Sequence, residues 1–270
     1  MKITFIGGGN MASALISGLL QQGYSASQLC VVEINDESRE KIASEFNILA
    51  TAELDVGIAD SDVVLLSIKP QQLFELTRQL TPLLKDHLII SIAAGIRTTD
   101  IVRWLGGYGR VIRAMPNTPA LVRLGVTGLF APSGIEIRDK ENAEMILAAV
   151  GSVVWVEQEE MLHSVTAISG SGPAYIFYFI ESMQQAGMEL GLTVEQAREL
   201  TLQTFFGATK LADQSREDVA VLRARVTSKN GTTERAIQTM EKNGVKSGII
   251  RAVHAASERS QELSDEFSKK

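Results

Sequence analysis

The sequence predicts an α/β protein: a doubly wound, mostly parallel sheet over residues 1–157, then an all-helical domain over 158–270. Three observations predict this. Short apolar runs alternate with helix-period segments through the first part, a glycine-rich turn joins the first run to the first helical segment, and strand signals cease after Trp155. Near-continuous apolar strands alternating with helices mark a parallel sheet that is covered on both faces.

The runs ITFI, CVVEI, VVLLSI, LIISIA and RVIRAM read as buried strands, with MASALISGLLQQ, DESREKIASEF, PQQLFELTRQL and TTDIVRWL as the helices between them. VTGLFAP, KENAEMILAAV and SVVWV extend the same unit, and Trp104 and Trp155 read as core. AISGSGPAY reads as a sharp turn that opens the next helix, with Pro173 near its first turn. That helix, PAYIFYFIESMQQAGMEL, is apolar on every face in its first half. A helix apolar all round must be buried all round, and so small a domain offers little cover, so a partner chain is expected. TVEQARELTLQTFFGATKLA starts with a capping box, Thr193 with Gln196. Its stripe of Ala197, Thr201, Thr204, Ala208 and Leu211 suits close helix packing. The last helix is expected from about Val245 to Phe267.

Composition narrows the function. A formal charge of -6 argues against a nucleic-acid surface. The first residues read as a buried strand and not as a signal peptide, and LIISIAAGI is far shorter than the ~20 apolar residues that cross a bilayer. The single cysteine, Cys30, allows no internal disulfide, which fits a reducing compartment, so cytoplasm is expected. His87, His163 and His254 are scattered, without a metal-ligand or triad companion nearby, and with one cysteine no common zinc cluster forms, so no metal is expected.

FIGGGNMASAL follows the first strand and opens the first helix, with Gly7, Gly9 and Ala12 fitting G-x-G-x-x-A. Glycine permits the tight turn and lets the backbone approach a pyrophosphate seated on the helix N-terminus, so Gly7, Gly8, Gly9, Asn10 and Met11 are candidates for a dinucleotide site of Rossmann type. The end of the second strand should meet the adenosine ribose, which places Glu33 or Asn35 there. An acidic residue suits the ribose hydroxyls of NAD, whereas Arg39 would suit the 2′-phosphate of NADP if the turn brought it round. SIKPQ, with Lys69 and Pro70, SIAAG, with Ala94 and Gly95, and RAMPNTPA lie at further strand ends where ligands bind in such sheets.

VTSKNGTTERA sits between two helical segments. If a helix begins near Thr232, the N–H groups of Gly231, Thr232 and Thr233 are left unpaired at its positive end. With the Ser228 hydroxyl they would cradle a small carboxylate; a plain helix cap is the other reading. A dinucleotide site without an evident acid, base or metal suggests hydride transfer to a carbon that is already electrophilic.

FIGGGNM, SIKPQ, SIAAGI, IRAMPNTPA, GSGPAY and VTSKNGTT, in this order, resemble the pyrroline-5-carboxylate reductase family over nearly the whole chain. The resemblance implies a Rossmann domain, a C-terminal domain that dimerises by interleaving with its partner, and a homodimer or an assembly of dimers. It implies NAD(P)H reducing 1-pyrroline-5-carboxylate to L-proline, with a slight lean to NADPH. By the same resemblance Gly7 to Met11, Lys69, Pro70, Ala94, Gly95 and Asn117 would line the cofactor. Ser228, Asn230, Gly231, Thr232 and Thr233 would hold the substrate carboxylate, with Thr233 facing the ring nitrogen. Here Lys229 and Asn230 replace the Pro and first Gly of the family's usual Ser-Pro-Gly-Gly-Thr-Thr, and Asn tolerates the left-handed backbone that glycine would supply. The segment after the second strand lacks the Asn-Arg pair that some members use. Hydroxyacid dehydrogenases of similar build carry a catalytic Lys on the helix after a Ser-Gly-x-Gly turn, and PAYIFYFIESMQQ has none. A non-catalytic NAD(P) sensor is a further alternative, against which the intact NGTT and MPNTP stretches speak.

Overall fold

The computed structural model describes residues 1–269, which divide into two compact units: Met1–Ser171 together with the chain from Ala256 onward, and Gly172–Ala255. The first unit is built on an eight-stranded sheet. Its strands are β1 (Ile3–Ile6), β2 (Leu29–Val32), β3 (Leu49–Thr51), β4 (Val63–Leu66), β5 (Leu88–Ser91), β6 (Val111–Met115), β7 (Gly125–Phe130) and β8 (Gly151–Trp155), in the order β3-β2-β1-β4-β5-β6-β7-β8. All neighbours are parallel except β6 and β7. β1, β2, β4 and β5 are buried at every residue, as strands covered on both faces must be. Strand order reverses at β1, which pairs with β2 on one side and β4 on the other, and leaves a crevice at their carboxyl ends.

Helices α1 (Asn10–Gln21), α2 (Asp36–Phe46), α3 (Leu54–Ile58), α4 (Pro70–Leu80), α5 (Thr98–Trp104), α6 (Ile137–Ala148) and α7 (Met161–Val165) complete this unit with the end of the last helix. One core cluster joins Ala12, Leu15, Ile16 and Leu19 of α1 and Ile146 and Leu147 of α6 to the sheet. A second, on the other face, joins Leu73 and Leu80 of α4, Ile101 and Trp104 of α5, and Phe267. Local chemistry sets the starts: Pro70 opens α4, where its missing N–H costs nothing, and the Asn35 side chain caps α2 by accepting the Ser38 N–H at 2.9 Å.

Several expectations are corrected. β3 and α3 interrupt the stretch between the second helix and β4, where no element was expected; β3 is only three residues long and partly exposed, so it carries no apolar run. The expected sharp turn in AISGSGPAY is a π-helical turn over Thr166–Gly170, whose Ser171 N–H reaches back to the Thr166 carbonyl at 2.8 Å. A Cβ on Gly170 would lie 2.7 Å from the Met115 methyl, so the small residue there serves close packing. Trp104 is buried edge-on to Phe74, but Trp155 is only half-buried, with its indole N–H on Glu144 at 2.8 Å.

The second unit contains α8 (Gly172–Glu189), α9 (Val194–Gln214), α10 (Val219–Arg225), α11 (Thr232–Lys242) and the start of α12 (Val245–Ser268). The Thr193–Gln196 capping box is formed at α9. Ala197 and Thr201 are buried, with Gly187 of α8 packed on Ala197, whereas Thr204, Ala208 and Leu211 are exposed, so only the first half of the expected stripe is covered by the described residues. On α8 Phe177 and Tyr178 are 65% and 69% exposed, so its apolar surface is uncovered in the single chain. The compact units divide at 171/172, whereas strand signals end near 157, because Leu162 and Val165 of α7 pack on Gly128 of β7.

Candidate functional site

The glycine turn after β1 is fixed by three different demands. Gly7 has φ +98°, donates its N–H to the Val32 carbonyl at 2.8 Å, and would place a Cβ 2.8 Å from the Ser67 carbonyl oxygen. Only glycine meets that combination. A Cβ on Gly8 would collide with Ile42. Gly9, the cap of α1, is ordinary extended backbone, and a Cβ there would meet nothing within 4 Å. Its open face is where an anion can approach the start of α1. The N–H groups of Gly9, Asn10 and Met11 carry no hydrogen bond within the described residues. They sit at the positive end of a twelve-residue helix, which suits a pyrophosphate.

A cavity of about 730 Å³ opens beside this turn, lined by Gly7, Gly8, Gly9, Glu33, Asn35 and Lys69 of the expected residues, and by Ile34, Leu54, Ser67, Gln72 and Leu76. Glu33 braces it: one carboxylate oxygen accepts the Gly8 N–H at 2.8 Å and the other accepts the Asn35 N–H at 2.9 Å. Arg39 turns back onto its own helix, donating to the Glu33 carbonyl at 2.9 Å and pairing with Asp36 at 2.7 Å. The Ser67 hydroxyl donates toward the carbonyls of Ile6 and Gly7, at 3.0 and 2.9 Å. Sequence reading passed over Ser67, although it directly precedes Ile68 and Lys69 at a strand end.

Asn10, Met11, Pro70, Ala94, Gly95 and Asn117 do not line this cavity. Gly95 has φ +74°, and a Cβ on it would lie 3.2 Å from Leu263 Cβ, so its small size admits the last helix. The Asn117 side chain is engaged structurally, accepting the Val126 N–H at 2.9 Å and donating to the Ser169 carbonyl at 3.1 Å.

A buried ionic network lies in the same unit. Arg113, 2% exposed, pairs with Glu159 at 3.1 Å, and Glu159 also accepts the N–H and hydroxyl of Thr98, each at 2.7 Å. Burial pushes Arg113 below its ordinary range and Glu159 opposes that shift. His163 shares a hydrogen bond of 2.9 Å with Ser260, and burial, then Arg113 and Arg97, push it down. His87 is structural: its ring nitrogens meet the Lys85 N–H and the Ile58 carbonyl.

In the second unit, the 228–233 segment forms a turn that ends as the cap of α11. Asn230 takes φ +60°, the left-handed backbone its side chain tolerates, and its N–H donates to the Glu234 carboxylate at 2.7 Å. The Gly231 N–H closes the turn onto the Ser228 carbonyl at 3.0 Å. It is therefore engaged, contrary to the expectation that it is left unpaired. The Thr232 and Thr233 N–H groups have no partner among the described residues. The Ser228 hydroxyl sits directly over Gly231, where a Cβ would strike it. What remains is an anion cradle of two N–H groups beside a hydroxyl, at the start of an eleven-residue helix.

Comparison with known proteins agrees with both halves. A family model described as pyrroline-5-carboxylate reductase dimerisation matches residues 159–263, and one described as NADP oxidoreductase, coenzyme F420-dependent, matches residues 2–95. The chain is similar to the pyrroline-5-carboxylate reductase of Pseudomonas aeruginosa, 46% identical with 98% of each chain covered. It is similar to that of Haemophilus influenzae, 43% identical over the same shares. Among solved structures it resembles the pyrroline-5-carboxylate reductase of Coxiella burnetii, with TM-score 0.92, 42% identity, and 97% of this chain and 98% of that one covered. It also resembles the Plasmodium falciparum enzyme solved with NADP bound, with TM-score 0.87, 27% identity and 98% of each chain covered.

Proposed function

The chain belongs to the pyrroline-5-carboxylate reductase family, and from that premise we propose how its residues divide the work of reducing a cyclic imine. The chain is an NAD(P)H-dependent oxidoreductase that converts 1-pyrroline-5-carboxylate to L-proline, the closing reaction of proline biosynthesis. The observation that carries the dinucleotide half is the open face of Gly9 over unpaired N–H groups, a space that any side chain would fill. Those residues fit a pyrophosphate.

When bound, the reduced nicotinamide supplies the hydride that the imine carbon accepts. Gly9, Asn10 and Met11 would hold the pyrophosphate, and Glu33, bonded to the glycine turn, would meet the adenosine ribose. Thr232 and Thr233 donate their N–H groups to the substrate carboxylate, supported by the Ser228 hydroxyl. The Thr233 hydroxyl serves the ring nitrogen, which ends the reaction as a secondary amine. A protonated imine is already electrophilic, so the residues position groups and exclude water and need not carry a strong acid or base. Lys69, Pro70, Ala94, Gly95 and Asn117 complete the cofactor surface in this reading. Gly95 and Asn117 act through the backbone that they hold, since their own packing is already committed.

We read residues 1–157 as the dinucleotide-binding domain and 158–270 as the helical dimerisation and substrate domain. The chain carries the family's dimerisation region and forms a homodimer. The exposed Phe177 and Tyr178 are what such a partner would cover, and exposed Phe206 and Leu211 support a larger assembly of dimers. Among the described residues no helix is long and apolar enough to cross a membrane. A cytoplasmic location is supported by the lone, buried, unpaired Cys30. The direct test is oxidation of NADH and NADPH with pyrroline-5-carboxylate beside a panel of 3-hydroxy and keto acids. Turnover confined to a hydroxy acid, or none with the imine, would overturn the assignment.

A further inference from the structure

The adenosine end of the cavity carries an electrostatic choice. We infer that Glu33 makes this chain discriminate against a 2′-phosphate, so that it binds NADH in preference to NADPH; the inference rests on the cleft being the dinucleotide site.

The Glu33 carboxylate is held in place at both ends. With the Gly8 N–H on one oxygen and the Asn35 N–H on the other, it cannot turn aside without breaking the glycine turn or the start of α2. A carboxylate has room for about four hydrogen bonds, so each oxygen keeps a further acceptor site. Two ribose hydroxyls are donors and satisfy those sites. A 2′-phosphate has no proton to offer at neutral pH and would bring its negative charge against a fixed carboxylate.

Among the described residues that line the cavity, Lys69 is the one cation that could meet that charge, and it is outnumbered. Arg39, the side chain that could have served a phosphate, is folded down onto Asp36 and the Glu33 carbonyl and does not line the cavity. The charged side chains that do line it are Glu33, Glu75 and Lys69, two anions against one cation. Asp36, at the start of α2, adds a third carboxylate on the Arg39 side. Recruiting Arg39 to a phosphate in the cavity would have to compete with its present hold on Asp36 and the Glu33 carbonyl.

The test separates the adenosine end from the chemistry. Calorimetric titration of the full chain with adenosine 5′-monophosphate and with adenosine 2′,5′-bisphosphate should show the first binding at least ~10-fold more tightly, as should NADH against NADPH. Glu33→Gln, which keeps the side chain's shape and an acceptor but removes the charge, should narrow either ratio to within about 3-fold. Arg39→Ala should leave NADPH affinity within about 2-fold of the parent, because that side chain is committed elsewhere. Equal or tighter binding of the 2′-phosphorylated ligands by the parent chain overturns the inference without any variant, as does a large loss of NADPH affinity in Arg39→Ala. Binding of neither dinucleotide overturns the cleft assignment itself, a different failure from an inverted preference.

Discussion

Replacing Gly9 with valine separates binding from folding at the glycine turn. The backbone at Gly9, φ -73° and ψ -179°, is open to any residue, and a Cβ there meets nothing within 4 Å. Loss of a favourable helix cap costs at most about 1 kcal/mol, and a less flexible unfolded chain returns about 0.4–1 kcal/mol. The net change is then below about 1 kcal/mol, a shift in Tm of no more than about 2–4 °C. Binding should respond very differently. The valine methyls occupy the approach to the unpaired Asn10 and Met11 N–H groups. Losing two charge-assisted hydrogen bonds, at about 1.5–3 kcal/mol each, weakens dinucleotide binding by ~100-fold or more. Differential scanning calorimetry gives the first quantity and fluorescence titration with NADH or NADPH the second. Gly7→Ala is the contrasting control: φ +98° and contact with Ser67 should lower Tm clearly. A Gly9→Val chain that binds as tightly as the parent, or one that fails to fold, would refute the reasoning.

In the 228–233 turn, Thr233→Ala should cost about 1–3 kcal/mol in kcat/KM with dinucleotide affinity unchanged. Gly231→Pro should be worse, since it removes the N–H that closes the turn and follows a left-handed Asn230 that proline disfavours. Normal turnover by Thr233→Ala, or cofactor affinity falling in step with activity, would mark the turn as a mere cap. Glu159→Ala leaves Arg113 buried without its carboxylate and should destabilise by roughly 3–5 kcal/mol in chemical denaturation. Adding Arg113→Met should restore more than half of that, and strictly additive losses would deny the coupling. His163, held low mainly by burial, binds fewer protons folded than unfolded. Its contribution is therefore complete above about pH 6.5 and declines as the pH falls below that. His163→Gln should flatten the slope of stability between about pH 5 and 6.5, and an unchanged slope would assign it to other groups.

Legibility in the sequence followed the strength of the local signal. The strands β1, β2, β4, β5 and β6 could be read directly, because apolar residues dominate each of them, with Arg113 of β6 the one charged exception. β3 could not, since its pairing with β2 depends on backbone hydrogen bonds and not on side chains. The reversed direction of β7 is a property of connection geometry, to which an apolar pattern is indifferent. At the site, the glycine turn was legible because strand, turn and helix all left marks, and Asn230 was legible because few residues take left-handed backbone. Small residues are ambiguous where two causes produce the same letter. Gly170 read as a turn residue, yet it sits in a π-helical turn and is small because Met115 needs the space, and Gly95, expected beside the cofactor, also makes room for Leu263. The engaged N–H of Gly231 and the retreat of Arg39 onto Asp36 depend on torsion angles that spacing alone does not set.

The end of the last helix belongs with the first unit, where Phe267 is buried in its core, Leu263 lies over Gly95, and Arg103 reaches the Ser268 carbonyl at 3.0 Å. On the ribosome this inverts the usual order, in which an N-terminal domain closes before its successor is made. Here the dinucleotide-binding unit emerges first but lacks a piece of its core until the last helix has been made. A nascent chain stalled after residue 255 would leave bare the apolar surface that Leu263 and Phe267 cover, the kind of exposed surface that invites aggregation. Premature stop codons in the last helix should then strike the nucleotide-binding half of the molecule, although they lie more than eighty residues beyond the rest of that unit.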